Sequence, residues 1–294
     1  MYPTLFKYNS LEISSYGFML MLAFLTCNYL LKRYLIHIEE NPKMADDIIF
    51  YAAVGGILGA KIYYIIEQIL VYSDYSNIDG ILNIFTGLFT LNFQLMFSGI
   101  TQFGSGLVFL GGLIGGMIAV TIYIKRNNLN WLKVSDWVAP YLILGHAIGR
   151  LGCFLVGDCY GKPCHLPWAM NFKNGLPPST YSSFKYNYPE IFNMESFQLT
   201  YSSVNNLIYV HPTQLYEFFI YIIIFFYLSH IRKNVKYDGI VMFEYLFLAG
   251  LSRFMIEFLR LNPKSIIGLS GAQIISLIMI FTSTYFMYKR KSTV

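Results

Sequence analysis

The sequence predicts an all-α protein that crosses a membrane several times, on two observations. Hydrophobic residues make up 55% of the 294 residues, charged residues only 13%, and the mean hydropathy is +0.49. In soluble domains about a quarter of the residues are charged. Several apolar runs also reach about 20 residues, the length that crosses the hydrocarbon core as a helix. A very apolar soluble enzyme is the alternative, and repeated runs of this length argue against it.

Seven runs have the composition of membrane spans. They cover, approximately, residues 17–34, 47–72, 104–124, 134–156, 212–230, 239–259 and 273–288. The stretch 81–97 is apolar but interrupted by Gly and Asn, so we expect an interfacial or re-entrant segment there. Residues 158–211 are rich in Pro, Ser, Asn and Tyr and predict a loop-rich soluble head. Without a visible repeat or long linker, we interpret residues 1–294 as one domain.

Basic residues predict the orientation of the spans. They flank the first, third and fifth connections and the C-terminal end, whereas the second connection has none: Lys32, Arg33, Lys43, Lys125, Arg126, Lys133, Arg232, Lys233, Lys236, Lys289, Arg290 and Lys291. The positive-inside rule therefore places the N-terminus outside, the C-terminus in the cytoplasm and the head outside. Because these residues lie in short loops and form no continuous stripe, we do not expect nucleic-acid binding.

The stretch from Gly145 to Gly161, GHAIGRLGCFLVGDCYG, contains the most unusual combination of residues. It begins as an apolar helix and ends in a polar turn. An arginine within a span costs about 2.5–3.5 kcal/mol on insertion scales. Arg150, surrounded by glycines, therefore indicates an anion site built from its planar fork of donors. A snorkelling or ion-paired arginine is the structural alternative.

A second group of charges lies in GLSRFMIEFLR, residues 250–260. Arg253, Glu257 and Arg260 are spaced four and three residues apart, which places them on one helix face. An intrahelical salt bridge at the membrane edge is one interpretation. However, Glu244 is the only charge in the thirteen residues before Arg253, which favours a polar cavity within the membrane. Together with Arg150, Arg253 could hold a phosphodiester from two sides.

The segment HPTQLYE, residues 211–217, marks the return from the head to the membrane. Its proline suits a first helical turn, with Thr213 or His211 as candidate caps. Glu217 then lies one turn inside the span and needs a cation, for which Arg150 is a candidate. An interfacial cap with an aromatic anchor is the structural alternative.

Lys61 and the pair Gly111-Gly112 lie within predicted spans. A mid-span lysine is expensive. The paired glycines let a lipid tail or a second helix approach closely, and a small-residue packing role alone is favoured.

The four cysteines predict no metal site. Cys27 lies in an apolar run and is interpreted as packing, and the spacing of Cys153, Cys159 and Cys164 fits no CxxC-type zinc pattern. A Cys159–Cys164 disulfide and free thiols are both compatible with an extracytoplasmic head. We expect no cofactor.

Taken in order, these motifs resemble the bacterial prolipoprotein diacylglyceryl transferases. The resemblance covers most of the chain and is carried by SYG, GAKIYY, FLGGLIGG, HAIGRLGCFLVGDCYG, HPTQLYE, GLSRFMIEFLR and GAQIISL. It implies seven spans with the N-terminus outside, in the bacterial cytoplasmic (inner) membrane. It also implies transfer of a diacylglyceryl group from phosphatidylglycerol to the lipobox cysteine of a preprolipoprotein, with release of glycerol-1-phosphate. The implied partners are phosphatidylglycerol, the precursor's signal peptide and membrane lipids.

By this resemblance, Arg150 and Arg253 hold the lipid phosphate and, with Asp158 and Glu257, form the catalytic set. Further positions are implied to bind substrate: Tyr16, Lys61, Gly111, Gly112, His146, Cys153, Gly161, His211, Gln214, Glu217 and Arg260. Alkyl transfer to sulfur needs a thiolate and a stabilised phosphate leaving group, and arginines supply the second.

The chain departs from the family pattern at four positions. Leu110 stands where the family commonly has histidine, Cys153 replaces an asparagine, Asp158 a glutamate, and Lys61 a frequent arginine. Candidate bases are therefore Asp158, Glu257 or His146, or else the thiol ionises beside Arg150 and Arg253. Two other functions stay open: the same lipid-cleaving reaction with another acceptor, and lipid binding without catalysis.

Overall fold

The computed structural model describes residues 1–8, 11–104, 106, 108–195, 197, 201, 206–235, 237–263 and 268–291. Lys236, used above to predict orientation, lies outside the described residues, as do the side chains of Arg290 and Lys291. The described chain is mostly helical, as predicted.

A two-stranded antiparallel hairpin, β1 (Thr4–Tyr8) and β2 (Leu11–Ser14), precedes the first helix. It was not predicted from the sequence. The helices that follow are α1 (Ser15–His37), α2 (Lys43–Tyr72), α3 (Ser76–Phe89), α4 (Phe93–Gly104), α5 (Phe109–Arg126), α6 (Trp131–Val156), α7 (Tyr181–Asn187), α8 (Pro189–Phe192), α9 (Thr213–Ile231), α10 (Ile240–Glu257) and α11 (Gly271–Lys291). A 3₁₀ turn, Arg232–Asn234, extends α9.

Each of the seven predicted spans coincides with a long helix, and the prediction of a polytopic membrane protein is confirmed. Within the described residues, five helices are long and apolar enough to cross a membrane: α1, α2, α6, α9 with its 3₁₀ turn, and α11. The other two candidates, α5 and α10, have 18 residues each. The count of seven spans and their orientation stay predictions.

The apolar stretch 81–97 is divided between two short helices. Helices α3 and α4 have 14 and 12 residues and pack on each other as a hairpin. At a rise of about 1.5 Å per residue, neither reaches the roughly 30 Å of a hydrocarbon core. Their lengths therefore agree with a segment that does not span, and its depth in the membrane stays a prediction.

The chain divides into two compact units, one formed by Met1–Arg33 and Leu132–Val294 and the other by Tyr34–Trp131. The interpretation of residues 1–294 as one domain stays a prediction.

In the Tyr34–Trp131 unit, α2 and α5 pack through glycines, as the small residues of both sequences predict. A Cβ atom added at Gly59 would meet Gly111 O and would lie 2.7 Å from Gly115 Cα. Gly112 faces the backbone of Gly56 across the same contact. At Gly59 the two helix backbones are therefore too close for a side chain.

We expect Gly59→Ala to lower the free energy of unfolding by about 1–3 kcal/mol, because the added methyl group forces the α2 and α5 backbones apart. Thermal unfolding in detergent micelles measures the change. Gly17→Ala in α1 is the matched control, because a Cβ there meets nothing within 4 Å. Equal midpoints for the two variants would contradict the close-packed contact.

In the unit formed by Met1–Arg33 and Leu132–Val294, helices α6, α9 and α10 share a hydrophobic core. The buried side chains of this core come from α6, α9 and α10: Ala139, Ile143, Ala147, Tyr221, Ile224, Leu228, Val241, Tyr245 and Ala249. Asp136 of α6 also accepts hydrogen bonds from the backbone of Gly239 at 2.6 Å and of Met242 at 2.9 Å. The start of α10 is thereby fixed to α6, so the registers of these helices are set together.

The head has its own aromatic core, built on Tyr160, Phe172, Phe184, Phe192, Phe197, Ile208 and Val210. Within the described part of 158–211, the longest helix is α7, with seven residues. The loop-rich character predicted from the sequence is therefore present. Isolated β-bridges tie the head together and join Gly161 to Arg260, just beyond α10.

Candidate active site

A buried carboxylate from α9 links two arginines of neighbouring helices. Glu217 is fully buried, and its Oε2 is paired with Nε of Arg150 from α6. Its Oε1 lies 2.7 Å from Nη1 of Arg253 from α10. The predicted partnership of Glu217 with Arg150 is therefore present, and the same carboxylate also orients Arg253.

Glu257 continues this network on α10. Its Oε2 lies 2.9 Å from Nη2 of Arg253 and 3.6 Å from Nε of Arg260, as the spacing of these residues predicted. Its Oε1 accepts hydrogen bonds from Asn262 Nδ2 at 2.7 Å and Ser270 Oγ at 2.8 Å. With both oxygens engaged and the residue buried, Glu257 holds the arginines in place.

The network keeps an excess of positive charge on its accessible side. Three guanidinium groups face two carboxylates, so one positive charge is unbalanced. The carboxylate side chains are 0% and 1% exposed, whereas those of Arg150 and Arg253 are 20% and 23% exposed. An incoming anion therefore meets guanidinium donors rather than carboxylates, which is the arrangement that binds phosphate.

The chain that leaves α6 is anchored to the ends of α9 and α10. The Gly161 amide donates to the carbonyl of His211 at 2.9 Å, and Arg260 Nη1 donates to the carbonyl of Cys159 at 3.1 Å. A Cβ at Gly161 would lie 2.6 Å from the Leu259 carbonyl oxygen and 2.9 Å from His211 Cβ. Glycine is therefore needed at position 161 for this close approach.

The first residues of α9 hold the same turn. Gln214 is fully buried, and its Nε2 donates to the carbonyl of Asp158. The prediction that Thr213 or His211 caps α9 is wrong. The N-cap is Pro212, and Thr213 Oγ1 instead donates to the Cys159 carbonyl at 2.8 Å. His211 Nδ1 lies 3.4 Å from Tyr216 Oη, and burial lowers the pKa of its imidazole.

Three side chains with potential metal-ligating atoms meet where α6 ends. One atom from each of Cys153, Asp158 and Cys159 lies within 4.8 Å of the other two. Cys153 Sγ is also 4.0 Å from Arg150 Nη1. Burial and the nearby Cys159 sulfur raise the pKa of Asp158 to about 6. A hydrogen bond from Cys153 and the Arg260 guanidinium hold the pKa of Cys159 well below its usual range.

Tyr16 and His146 also lie near the end of α6 and Arg150. Tyr16 packs against Gly152, the residue before Cys153, where an added Cβ would be 3.2 Å from its ring. His146 lies one helical turn before Arg150, is exposed, and has its ring centroid 6.0 Å from that of Tyr221. Both belong to the same unit as the arginines.

The remaining sequence-predicted residues lie in the Tyr34–Trp131 unit. Lys61 is buried, donates to Asn77 Oδ1 at 2.6 Å and faces the Phe103 ring at 4.5 Å. Gly111 and Gly112 lie in the α2–α5 contact, and whether they also contact substrate stays a prediction. Leu110 is 40% exposed.

Comparison with known proteins decides the family. The model of the family described as prolipoprotein diacylglyceryl transferase matches residues 3–289. The chain belongs to this family. A phosphatidylglycerol–prolipoprotein diacylglyceryl transferase of Clostridium tetani is 32% identical over 288 residues, covering 97% of this chain and 96% of the relative. Proteins of the same name from Staphylococcus aureus and Thermotoga maritima are 29% and 26% identical, over 98% of this chain and 89% and 85% of their own lengths.

Within the family assignment, the structure adds residues that the sequence motifs missed. Asn262 and Ser270 both donate hydrogen bonds to Glu257 Oε1. Asn262 and Ser270 follow α10 in an irregular segment, where a polar residue is ordinary, so no sequence signal marked them. All four cysteines are free thiols in the structure.

Proposed function

We propose that this protein transfers a diacylglyceryl group from phosphatidylglycerol to a cysteine thiol of a prolipoprotein and releases glycerol-1-phosphate. The observation that carries the proposal is the pairing of Arg150 and Arg253 on one buried carboxylate with their outer faces accessible. The names of the relatives supply the substrates, and the arginine geometry supplies the reason that a phosphate binds here.

The chemistry follows from this arrangement. The acceptor sulfur, as a thiolate, attacks the terminal carbon of the diacylglyceryl group. A carbon–sulfur bond forms, the carbon–oxygen bond to phosphate breaks, and the electron pair leaves with glycerol-1-phosphate. The departing phosphomonoester gains negative charge, which Arg150 and Arg253 neutralise. Because Glu217 already fixes both guanidinium groups, little reorganisation is needed as that charge develops.

The proposed setting is the bacterial cytoplasmic membrane, crossed seven times with the N-terminus and the head outside. The distribution of basic residues supports this orientation. The lipobox cysteine of an exported precursor then approaches from the side of the head. Near the arginines, we assign substrate positions to Tyr16, His146, Cys153, Gly161, His211, Gln214 and Arg260. Lys61, Gly111 and Gly112 belong to the proposed substrate path in their own unit.

Loss of the thiol proton needs a base, and we favour Asp158 or His146 over Glu257. Glu257 is buried and ion-paired with both Arg253 and Arg260, which makes it a poorer candidate base. Asp158 has one carboxylate oxygen, Oδ1, that is buried without a hydrogen-bond partner among the described residues. His146 is an exposed residue whose ring lies beside that of Tyr221. These two groups lie in the same unit as the arginines.

Purified protein with labelled phosphatidylglycerol and a lipobox peptide tests the proposal. We expect glycerol phosphate release together with a diacylglyceryl-modified peptide. Release without peptide modification would favour a different acceptor, and the absence of release with retained lipid binding would favour a non-catalytic role.

We expect Leu110→His to change peptide transfer by far less than the about 100-fold that a general base contributes. The reason is that Asp158 and His146 already offer groups for the proton. Turnover of the variant in the same assay measures this, with Leu113→His on the same helix as the matched control. A large gain specific to Leu110→His would show that the leucine replaces a working base.

A further inference from the structure

The side chains of Cys153, Asp158 and Cys159 form a cluster, here called the thiol–carboxylate cluster, whose role the arginine network leaves unassigned. Its three potential ligand atoms, two sulfurs and one carboxylate oxygen, lie within 4.8 Å of one another. In a tetrahedral zinc site with zinc–sulfur bonds of about 2.3 Å, two sulfurs stand about 3.8 Å apart. Side-chain adjustments of about 1 Å therefore suffice to close the cluster around such an ion.

The local backbone builds this proximity, although the linear spacing matches no common zinc motif. Helix α6 ends at Val156, and Gly157 and Cys159 both have left-handed backbone conformations, with φ of 77° and 59°. The amides of Gly157 and Asp158 both donate to the Cys153 carbonyl, at 2.9 and 3.2 Å. The chain therefore folds back and returns Cys159 to the side of Cys153.

Contacts from other segments hold the turn in place. Thr213 Oγ1 and Arg260 Nη1 both donate to the Cys159 carbonyl, and Gln214 Nε2 donates to the Asp158 carbonyl. These bonds use only main-chain oxygens of the turn, so they hold its backbone without occupying the Asp158 carboxylate. A cluster fixed in this way loses little conformational entropy when an ion binds.

Two polar atoms at this turn lack partners. Asp158 Oδ1 and Gln214 Oε1 are buried without a hydrogen-bond partner among the described residues. A buried, unpaired carboxylate oxygen costs free energy that a bound cation recovers. Both atoms are acceptors, as a cation requires.

The surrounding charges are compatible with a bound divalent ion. Two thiolates and one carboxylate carry three negative charges, so a complex with a divalent ion keeps one. Arg150, with Nη1 at 4.0 Å from Cys153 Sγ, and Arg260, bonded to the Cys159 carbonyl, both favour that residual negative charge. Thiolate ligands select zinc-class ions over magnesium or calcium.

We propose that the thiol–carboxylate cluster binds one thiophilic divalent ion of the zinc class and leaves a fourth position for the acceptor thiol. Three protein ligands with one open position are the arrangement of a zinc ion that acts on a substrate. A thiol that coordinates such an ion gives up its proton. This proposal rests on the proposed function, because it supplies the thiolate for alkyl transfer beside Arg150.

Coordination to the ion would increase the fraction of the acceptor cysteine that is present as thiolate. A free cysteine with a pKa near 8.5 is only about 3% ionised at pH 7, so full ionisation increases the thiolate about 30-fold. The proton leaves to solvent, the sulfur attacks the glyceryl carbon, and the phosphate departs toward the arginines as before. An ion bound in this cluster would therefore ionise the acceptor thiol without a general base.

Binding is tested with Cd²⁺ alone on detergent-purified protein kept reduced by a non-thiol reductant. We expect one equivalent per chain, with a thiolate-to-cadmium charge-transfer band. Cys153→Ser and Cys159→Ser should lose most of the charge-transfer band. Asp158→Asn should keep the band but weaken the affinity for Cd²⁺ by about tenfold or more. Cys27→Ser and Cys164→Ser are matched controls that should bind as the wild type does.

A second measurement uses the wild type, so it does not depend on the folding of a variant. Bound Cd²⁺ should protect Cys159, but not Cys164, from alkylation mapped by mass spectrometry; both thiols are partly exposed. Equal alkylation with and without Cd²⁺, or a band that survives Cys159→Ser, would overturn the site. A Cys153–Cys159 disulfide that persists under reductant would overturn it too.

Activity separates the two proposals. If the protein transfers lipid to peptide, removing the metal with a chelator should slow transfer about 30-fold at pH 7, and one equivalent of Zn²⁺ should restore it. If the chelator leaves the rate of transfer unchanged, the metal has no role in transfer, and the proposed function is unaffected. If no transfer occurs under any condition, the proposed function fails, whereas Cd²⁺ binding still decides the site.

Discussion

Arg150→Ala and Arg253→Ala should each reduce transfer from phosphatidylglycerol by about 10³-fold or more. Each guanidinium group is paired with the Glu217 carboxylate, and in the proposed function its accessible donors bind the lipid phosphate. A donor that stabilises charge only as the leaving group departs is worth about 10²–10³ in rate, and an arginine on a transferring phosphate about 10³–10⁵. Glycerol phosphate release from labelled lipid measures the loss.

Two further variants distinguish geometry from charge. Arg150→Lys keeps the positive charge but loses the planar fork, so it should recover only a small part of the lost rate. Arg126→Ala removes an exposed arginine at the end of α5 and should leave turnover unchanged. Near-normal activity in either Arg150→Ala or Arg253→Ala would exclude the proposed phosphate contacts.

The arginine network shows what helical spacing predicts well. Arg253, Glu257 and Arg260 share a helix face because of their spacing alone, and the structure pairs them as expected. The partnership of Glu217 with Arg150 was also predictable, because a buried carboxylate inside a span requires a cation. The sequence could not predict that Glu217 bridges both arginines, because this contact depends on the relative registers of α6, α9 and α10. Those registers are set by long-range contacts such as Asp136 with Gly239.

The thiol–carboxylate cluster shows where sequence reasoning stops. Cys153 and Cys159 are six positions apart, so a helix would point them about 120° apart and a strand would separate them by about 20 Å. Left-handed conformations at Gly157 and Cys159 reverse the chain instead, and only Gly157 carries a sequence signal for this. The β1–β2 hairpin was missed for a related reason, because it is short and lies beside a strongly apolar helix that dominates the local pattern.

Glu217→Gln should also reduce transfer strongly, but through a different change from that in the arginine variants. Glutamine keeps the size of the side chain but removes the charge that holds Arg150 and Arg253 together. Breaking a buried ion pair costs about 3–5 kcal/mol, so we expect a lower thermal midpoint. We also expect kcat to fall by about 10²-fold or more, because the guanidinium groups are no longer pre-oriented toward the departing phosphate.

The affinity for phosphatidylglycerol should not fall in Glu217→Gln, and this distinguishes Glu217 from Arg150 and Arg253. Removing Glu217's charge increases the excess positive charge of the network from one to two, so phosphatidylglycerol should bind at least as tightly as before. The arginine variants should instead weaken binding and slow turnover together. Glu244→Gln, a carboxylate elsewhere on α10, is the matched control and should change neither quantity. If Glu217→Gln lost lipid binding but kept kcat, Glu217 would be a direct lipid ligand, because an orienting residue acts on the rate through the arginines it holds.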